Sequence, residues 1–320
     1  MGAPDLRTRF IWKDGSFVPW EDATIHVMSH VVHYGSSVFE GVRCYPTASG
    51  PAFFRLRDHM ERLLDSARIY HMPLDWDADA LSEASRELFR RNDLRDGYLR
   101  PLAMRGFGGM GVSPTASPVE VWLMSWPWGR YLGAAALEEG VDACVSTWLR
   151  PAPNTFPALA KAGGNYLSSQ LMKMEAVRNG YAEGIGVSPD GVVSEGSGQN
   201  VFLVRRGVVV TPELDGTLLA GLTRDTVLRL CGELDIEARE ARVPREMRYT
   251  ADEVFFTGTA AEITPVRSVD RVPVGDGGVG PVTRKLQEAY LEQVHGRRGD
   301  TLGWLDPVDP EMAVAAELAS

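Results

Sequence analysis

Ala160-Lys161-Ala162-Gly163-Gly164-Asn165-Tyr166 is the stretch on which the reading of this chain turns. A lysine precedes a run of small residues, and a helical pattern starts at Tyr166. Small neighbours let a flat ligand approach the backbone closely. Low local charge lets a lysine give up its proton more readily than in water, as an amine nucleophile requires. Taken alone the stretch also fits a surface lysine in a loop. The search for an amine is short, however. Only Lys13, Lys161, Lys173 and Lys285 are lysines among 33 basic residues, a bias that reads as codon usage.

Three other stretches reinforce it. Ser194-Glu195-Gly196-Ser197-Gly198-Gln199-Asn200 places a carboxylate 34 positions later, at the end of a predicted strand. A buried carboxylate needs a partner, and a protonated ring nitrogen would serve. In Gly221-Leu222-Thr223-Arg224-Asp225, Thr223 reads as an N-cap, so that the first-turn amides face an anion such as phosphate. Thr257-Gly258-Thr259-Ala260-Ala261-Glu262 ends a buried strand in hydroxyls and small residues, again suited to an anion. An amine, a carboxylate for a ring nitrogen and two phosphate sites form a pyridoxal phosphate inventory.

The chain has 320 residues, 44% hydrophobic and 24% charged, with a formal net charge of −10. That is an ordinary soluble composition, long enough for two domains. An acidic chain with no basic block argues against nucleic acid and anionic membrane. No apolar run reaches membrane-span length, and Met1 to Trp12 has no apolar core for a secretory signal, so a cytoplasmic location is expected. Cys44, Cys144 and Cys231 show neither disulfide nor zinc spacing.

The coarse pattern is mixed α/β. Two short strands flank a Lys13-Asp14-Gly15 turn, and amphipathic helices are predicted at 56–70 and 79–91. Strands are predicted at 98–104 and 119–126. Trp126-Pro127-Trp128-Gly129-Arg130-Tyr131-Leu132-Gly133 reads as a linker, giving a small domain at 1–127, an interdomain loop at 128–133 and a large domain at 134–320. The second half is strand-rich, with strands expected at 141–148, 184–187, 192–194, 201–204, 208–211 and 253–257. Its helices are expected at 166–179, 223–234 and 282–294. After Trp304 the small, acidic tail is expected to fray.

Other signals are weaker. Asp75, Asp77 and Asp79 alternate like a calcium loop, but Ala80 and Arg86 stand where glycine and glutamate are needed, so an N-capped acidic helix start suffices. Gly106 to Gly111 lacks the following helix of a dinucleotide loop. His30 and His33 have no acidic or cysteine partner nearby, so packing roles are expected and no metal is. No serine elbow with triad partners is present.

With these residues in view, the chain resembles the class IV pyridoxal-phosphate aminotransferases, and most closely their bacterial branched-chain amino acid group. The resemblance runs from His33-Tyr34-Gly35 to Gly303-Trp304-Leu305. It is carried by AKAGGNYLSS (160–169), SEGSGQNVF (194–202), AGLTRD (220–225) and TGTAAEITPVRSVD (257–270), in that order. It implies a two-domain fold clamping pyridoxal 5′-phosphate between its domains, with sites completed across a homodimer or a dimer-based homohexamer. It implies that Lys161 holds the cofactor and shuttles a proton, that Glu195 pairs with the ring nitrogen and that Tyr166 bonds the ring hydroxyl. Arg62, Leu222, Thr223 and Thr259 would hold the phosphate. Tyr34, Phe39, Val112, Trp128, Tyr131 and Ala260 would line the substrate pocket, with Tyr98 and the amides at Thr259 and Ala260 on the α-carboxylate. Arg100 would engage the distal carboxylate of glutamate. The substrates implied are amino acids and 2-oxo acids: leucine, isoleucine or valine with 2-oxoglutarate, by a ping-pong route.

The phosphate helix reads Ala220-Gly221-Leu222-Thr223 where relatives often have Pro-Gly-Ile-Thr. The same fold family holds D-amino acid aminotransferases, aminodeoxychorismate lyase and amine transaminases, which are the alternatives. Tyr98-Leu99-Arg100-Pro101 and Phe39-Glu40-Gly41-Val42-Arg43 favour the branched-chain group.

Overall fold

A computed structural model describes residues 6–129 and 134–310. It divides into two compact units. The first comprises residues 1–129, 160–164 and 293–320; the second comprises 130–159 and 165–292. A single cut at 128–133 would assign Lys161 and the C-terminal segment to the second half; the structure puts both with the first unit. Each unit has its own sheet, and both units mix helices with strands.

The first unit is built on an antiparallel sheet in the order Leu305–Pro307, Gly50–Phe54, Val42–Thr47, Gly97–Arg105, Val119–Trp126, Phe10–Lys13, Ser16–Pro19, with Ser37–Phe39 also paired to Gly97–Arg105. Side chains alternate across a strand. Leu99 and Ala103 therefore enter the core with Val121 and Leu123, while Tyr98 and Arg100 turn to the opposite face. Register places Trp126 opposite Tyr98 and Met124 opposite Arg100.

Two helices, Leu56–Ile69 and Ala78–Arg91, pack against each other and fill that core. Leu56, Met60, Leu63 and Ala67 recur at helical spacing and are buried. Asp77 caps the second helix, its carboxylate accepting from the Ala80 amide at 2.8 Å. The tail does not fray at Trp304. Leu305–Pro307 pairs with Phe54–Ala52 as an edge strand, and buried Val308 seats it in the core, a long-range pairing that composition does not reveal.

The second unit holds a sheet in the order Val193–Gly196, Glu183–Val187, Val141–Val145, Glu262–Val269, Glu253–Gly258, Asn200–Arg205, Val208–Pro212, Ala238–Ala241. The strand expected over 141–148 stops at Val145. Its core is largely aliphatic, with Ile185, Val201, Leu203, Val254 and Val266 among its members. The helices Tyr166–Arg178, Leu222–Glu233 and Pro281–Val294 lie within two residues of expectation. Among the described residues no helix is long and apolar enough to cross a membrane, and no group of three or more His, Cys, Asp or Glu could hold a metal ion.

Candidate active site

In the first unit, the Lys161 segment lies along the short strand Ser37–Phe39. The Phe39 amide donates to the Lys161 carbonyl at 2.9 Å, and the Lys161 amide donates to Ser66 Oγ at 3.0 Å. Lys161 Nζ stands 5.1 Å from the centre of the Phe39 ring, and the Arg100 guanidinium lies 4.8 Å from that same ring. Arg100 also faces Tyr98 at 5.6 Å and Trp126 at 5.9 Å. Tyr98 packs against Trp126 and Trp128 at 5.3 and 5.0 Å. The sheet alternation described above is what brings these residues to one face. Gly41 admits the tyrosine, since a Cβ there would lie 1.8 Å from the Tyr98 hydroxyl.

Low local charge around Lys161, expected from its small neighbours, is not what the fold provides. Glu40, wholly buried, accepts from Arg62 Nε at 2.6 Å and Nη2 at 2.8 Å, and from His59 Nδ1 at 2.7 Å. Long-range packing brings these charges to the lysine. Burial works against Glu40 ionising, but the Arg62 charge and the hydrogen bonds outweigh it and hold the carboxyl well below its usual range. Burial also pushes His59 below its ordinary value, more strongly than Glu40 raises it. Both shifts make acid unfavourable. Glu40's stabilisation is complete above its unfolded value of 4.5 and is lost as pH falls below that. The unfolded chain takes up a proton at His59 as pH falls through 6.5, before the folded chain does. Urea unfolding midpoints should therefore fall between about pH 7 and about pH 4; equal midpoints would contradict this charge assignment.

Tyr34 and Val112 are 45% and 88% exposed. They are linked through His30, whose ring stacks on Tyr34 at 4.5 Å and whose Nε2 contacts the Gly111 carbonyl at 3.0 Å. His30 is thus a packing residue. Tyr131 lies outside the described residues.

In the second unit, three strands bring distant motifs into one row: Glu195 is paired with Asn200, and Asn200 with Thr257. Glu195 is 7% exposed. Its carboxylate accepts from Arg150 Nη2 at 2.6 Å, and from Asn200 Nδ2 and the Leu219 amide, each at 3.2 Å. The protein itself therefore supplies the partner that the sequence reading left to a ring nitrogen. Arg150 in turn donates to Ser169 Oγ at 3.1 Å and the Thr217 carbonyl at 3.2 Å.

Thr223 does not cap its helix. The helix starts at Leu222, Gly221 occupies the cap with no side-chain bond, and Thr223 sits buried in the first turn. A Cβ on Gly221 would lie 2.0 Å from Asn200 Oδ1, so the position needs glycine. The turn through Thr259, Ala260 and Ala261 joins Glu253–Gly258 to Glu262–Val269, with Glu262 in the left-handed region at φ 52°. Thr264 Oγ1 ties it down by donating to the Ala261 carbonyl at 2.6 Å. Tyr166 opens its helix and is half-buried.

The family model for class IV amino-transferases matches residues 37–269. The chain belongs to the class IV aminotransferases. It is 54% identical to the branched-chain-amino-acid aminotransferase of Escherichia coli K12, over 94% of this chain and 97% of that protein. A crystal structure of the Escherichia coli enzyme superimposes with a TM-score of 0.93 at 53% identity, covering 95% of this chain and all of that one. The branched-chain amino acid aminotransferase from Thermobaculum terrenum, solved in its PLP-form, superimposes with a TM-score of 0.88 at 36% identity, over 95% of this chain and all of its own.

As a class IV aminotransferase the chain is a pyridoxal-phosphate enzyme, and its residues suit that group. The first unit offers an amine and a guanidinium over one aromatic ring, and the second a buried carboxylate held in place by Arg150 and a glycine-started helix. Arg150, Asn200, Glu40 and His59 were missed by motif reading. Glu40 and Asn200 stand inside quoted motifs, but nothing in the sequence pairs Glu40 with Arg62, 22 positions on, or Arg150 with Glu195, 45 positions on.

Proposed function

We infer that this chain is a branched-chain L-amino-acid aminotransferase, passing the amino group between leucine, isoleucine or valine and 2-oxoglutarate by a ping-pong route. The observation that carries the reading is the shared ring of Phe39, with Lys161 and Arg100 both held over it. Phe39, Tyr98 and Trp126 offer an aromatic surface for an aliphatic side chain, and Arg100 lies against the same rings for the distal carboxylate of glutamate. One surface thus offers contacts to both substrates, the rings to an aliphatic chain and Arg100 to a carboxylate.

When bound, pyridoxal 5′-phosphate supplies a carbonyl that takes up the amino group and a ring that accepts electrons. Lys161 would hold the cofactor and would carry the proton from Cα. Arg62, Leu222, Thr223 and Thr259 would hold the phosphate, Tyr166 would bond the ring hydroxyl, and Glu195 would keep the ring nitrogen protonated. Tyr98 and the amides at Thr259 and Ala260 bind the α-carboxylate, and Trp128, Tyr34, Val112, Ala260 and Tyr131 complete the pocket. The working unit is a homodimer or an assembly of dimers, in the cytoplasm. Val27, Val32, Tyr34, Phe107, Met110 and Val112 support an assembly, because they are exposed apolar side chains around His30.

Keto-acid formation from separate incubations with L-leucine, L-isoleucine, L-valine and D-alanine, each with 2-oxoglutarate, tests the reading. The three L-substrates should turn over and D-alanine should not. Turnover of D-alanine alone, or of aminodeoxychorismate in place of the amino acids, would overturn it. Light scattering on the same sample reads the assembly, and an active monomer would remove that part.

A further inference from the structure

We propose that Glu40 is a positioning residue of this active site: its buried carboxylate fixes the Arg62 guanidinium and balances the positive charge around Lys161. The proposal rests on the reading in which Lys161 and Arg62 bind the cofactor.

The geometry is that of a bracket. Glu40 has no exposed surface. Its two oxygens accept from both the Nε and Nη2 of Arg62, from His59 Nδ1, and from the Gly41 amide at 3.2 Å. Two parallel bonds from one guanidinium fix its plane as a single contact cannot. The Glu40 amide donates to the Pro101 carbonyl at 2.8 Å, so the carboxylate stands on a fixed backbone. The preceding residue, Phe39, is hydrogen-bonded to Lys161 through the backbone. His59, Arg62 and Ser66 lie at helical spacing on Leu56–Ile69, and Ser66 holds the Lys161 amide. Phe39 and Glu40 thus join the lysine and the arginine.

The charges follow. Glu40 and Arg62 form a close pair that sums to zero, and burial favours neutral His59. Lys161 is near enough for its charge to act on His59. Arg100 is the other cation over Phe39. Removing the charge of Glu40 takes the counter-charge from half-buried Arg62, which disfavours a second positive charge at Lys161. It also frees the guanidinium from its plane.

The test uses the loaded enzyme and reads two quantities besides activity. One is the pH midpoint at which the cofactor's visible band changes; the other is the affinity for pyridoxal phosphate relative to pyridoxal, which lacks the phosphate. Glu40→Gln should move the midpoint down by about one pH unit and weaken pyridoxal phosphate about tenfold, with pyridoxal little changed. Arg62→Met should move the midpoint the other way, and combining the two should return it towards that of the parent while the phosphate preference stays lost. Glu40→Asp should recover part of both effects. Should Glu40→Gln fail to fold, Arg62→Met and the charge-free double variant are read alone. Midpoint and phosphate preference unchanged in Glu40→Gln, or a midpoint unmoved in Arg62→Met, would overturn the proposal. A parent enzyme that is colourless, or that borohydride labels at a lysine other than Lys161, sinks instead the reading on which it rests.

Discussion

Lys161→Ala is expected to retain the fold and lose turnover by at least about 10⁴-fold. A positioned proton carrier alone contributes about 10²–10⁴, and in the proposed function this amine also holds the cofactor. The fold should survive because the segment is anchored through its backbone. The Phe39 amide still meets the residue 161 carbonyl, and the residue 161 amide still meets Ser66 Oγ. Among the contacts that leave is that of the ammonium with the Phe39 ring, worth about 0.5–1 kcal/mol at most sites. Keto-acid assays together with thermal melts check both halves. A variant within tenfold of the parent would show that another amine does the work, and three other lysines are available for that test.

The surroundings of those three make the choice sharper. Lys13 pairs with Glu120 at 3.1 Å beside its hairpin turn. Lys173 donates to the Ala182 carbonyl and to wholly buried Glu183 at 3.0 Å. A buried carboxylate without its cation is costly, so Lys173 is committed to the fold. Lys285 bonds the Leu234 carbonyl at 3.1 Å on the surface.

Glu195→Gln is the second large effect. It should lower the rate by roughly 10²–10³-fold, the scale for removing one buried electrostatic stabiliser of a reacting group, while the cofactor still binds and colours the protein. Stability should fall as well. Arg150 and Glu195 expose only 8% and 9% of their side chains. Removing one partner of a buried pair costs about 3–5 kcal/mol because the other is left uncompensated. The two effects separate in a double variant. Glu195→Gln with Arg150→Met should regain much of the stability, since both charges are gone, yet regain none of the rate. A rate equal to the parent's in either variant would contradict the role given to Glu195.

Much of this was legible without a structure, for definite reasons. Helices such as 56–69 announce themselves because Leu56, Met60, Leu63 and Ala67 repeat at the helical period. Lys161, Glu195 and the Thr257 to Ala261 turn stand in motifs whose residue types are narrow in chemistry. The edge strand at Leu305–Pro307 was not legible, because its partner Gly50–Phe54 lies about 250 positions away in sequence; Val42–Thr47 and Gly50–Phe54 were missed although they pair with each other as a local hairpin, Thr47 opposite Gly50. Thr223 misled because a hydroxyl before a helical run normally caps it. Here the cap is Gly221, two positions earlier, where Asn200 leaves no room for a side chain, a contact no local pattern encodes.

The sequence by itself determined the family and the cofactor, and singled out Lys161 as the amine to propose, because those depend on residue types at fixed short spacings. Only the tertiary structure decided what stabilises the charges. Glu40 meets Arg62 and His59, and Glu195 meets Arg150, through strand register and helix packing. Burying a carboxylate is unfavourable until a partner arrives, and the partner is chosen by the fold rather than by neighbours in the chain.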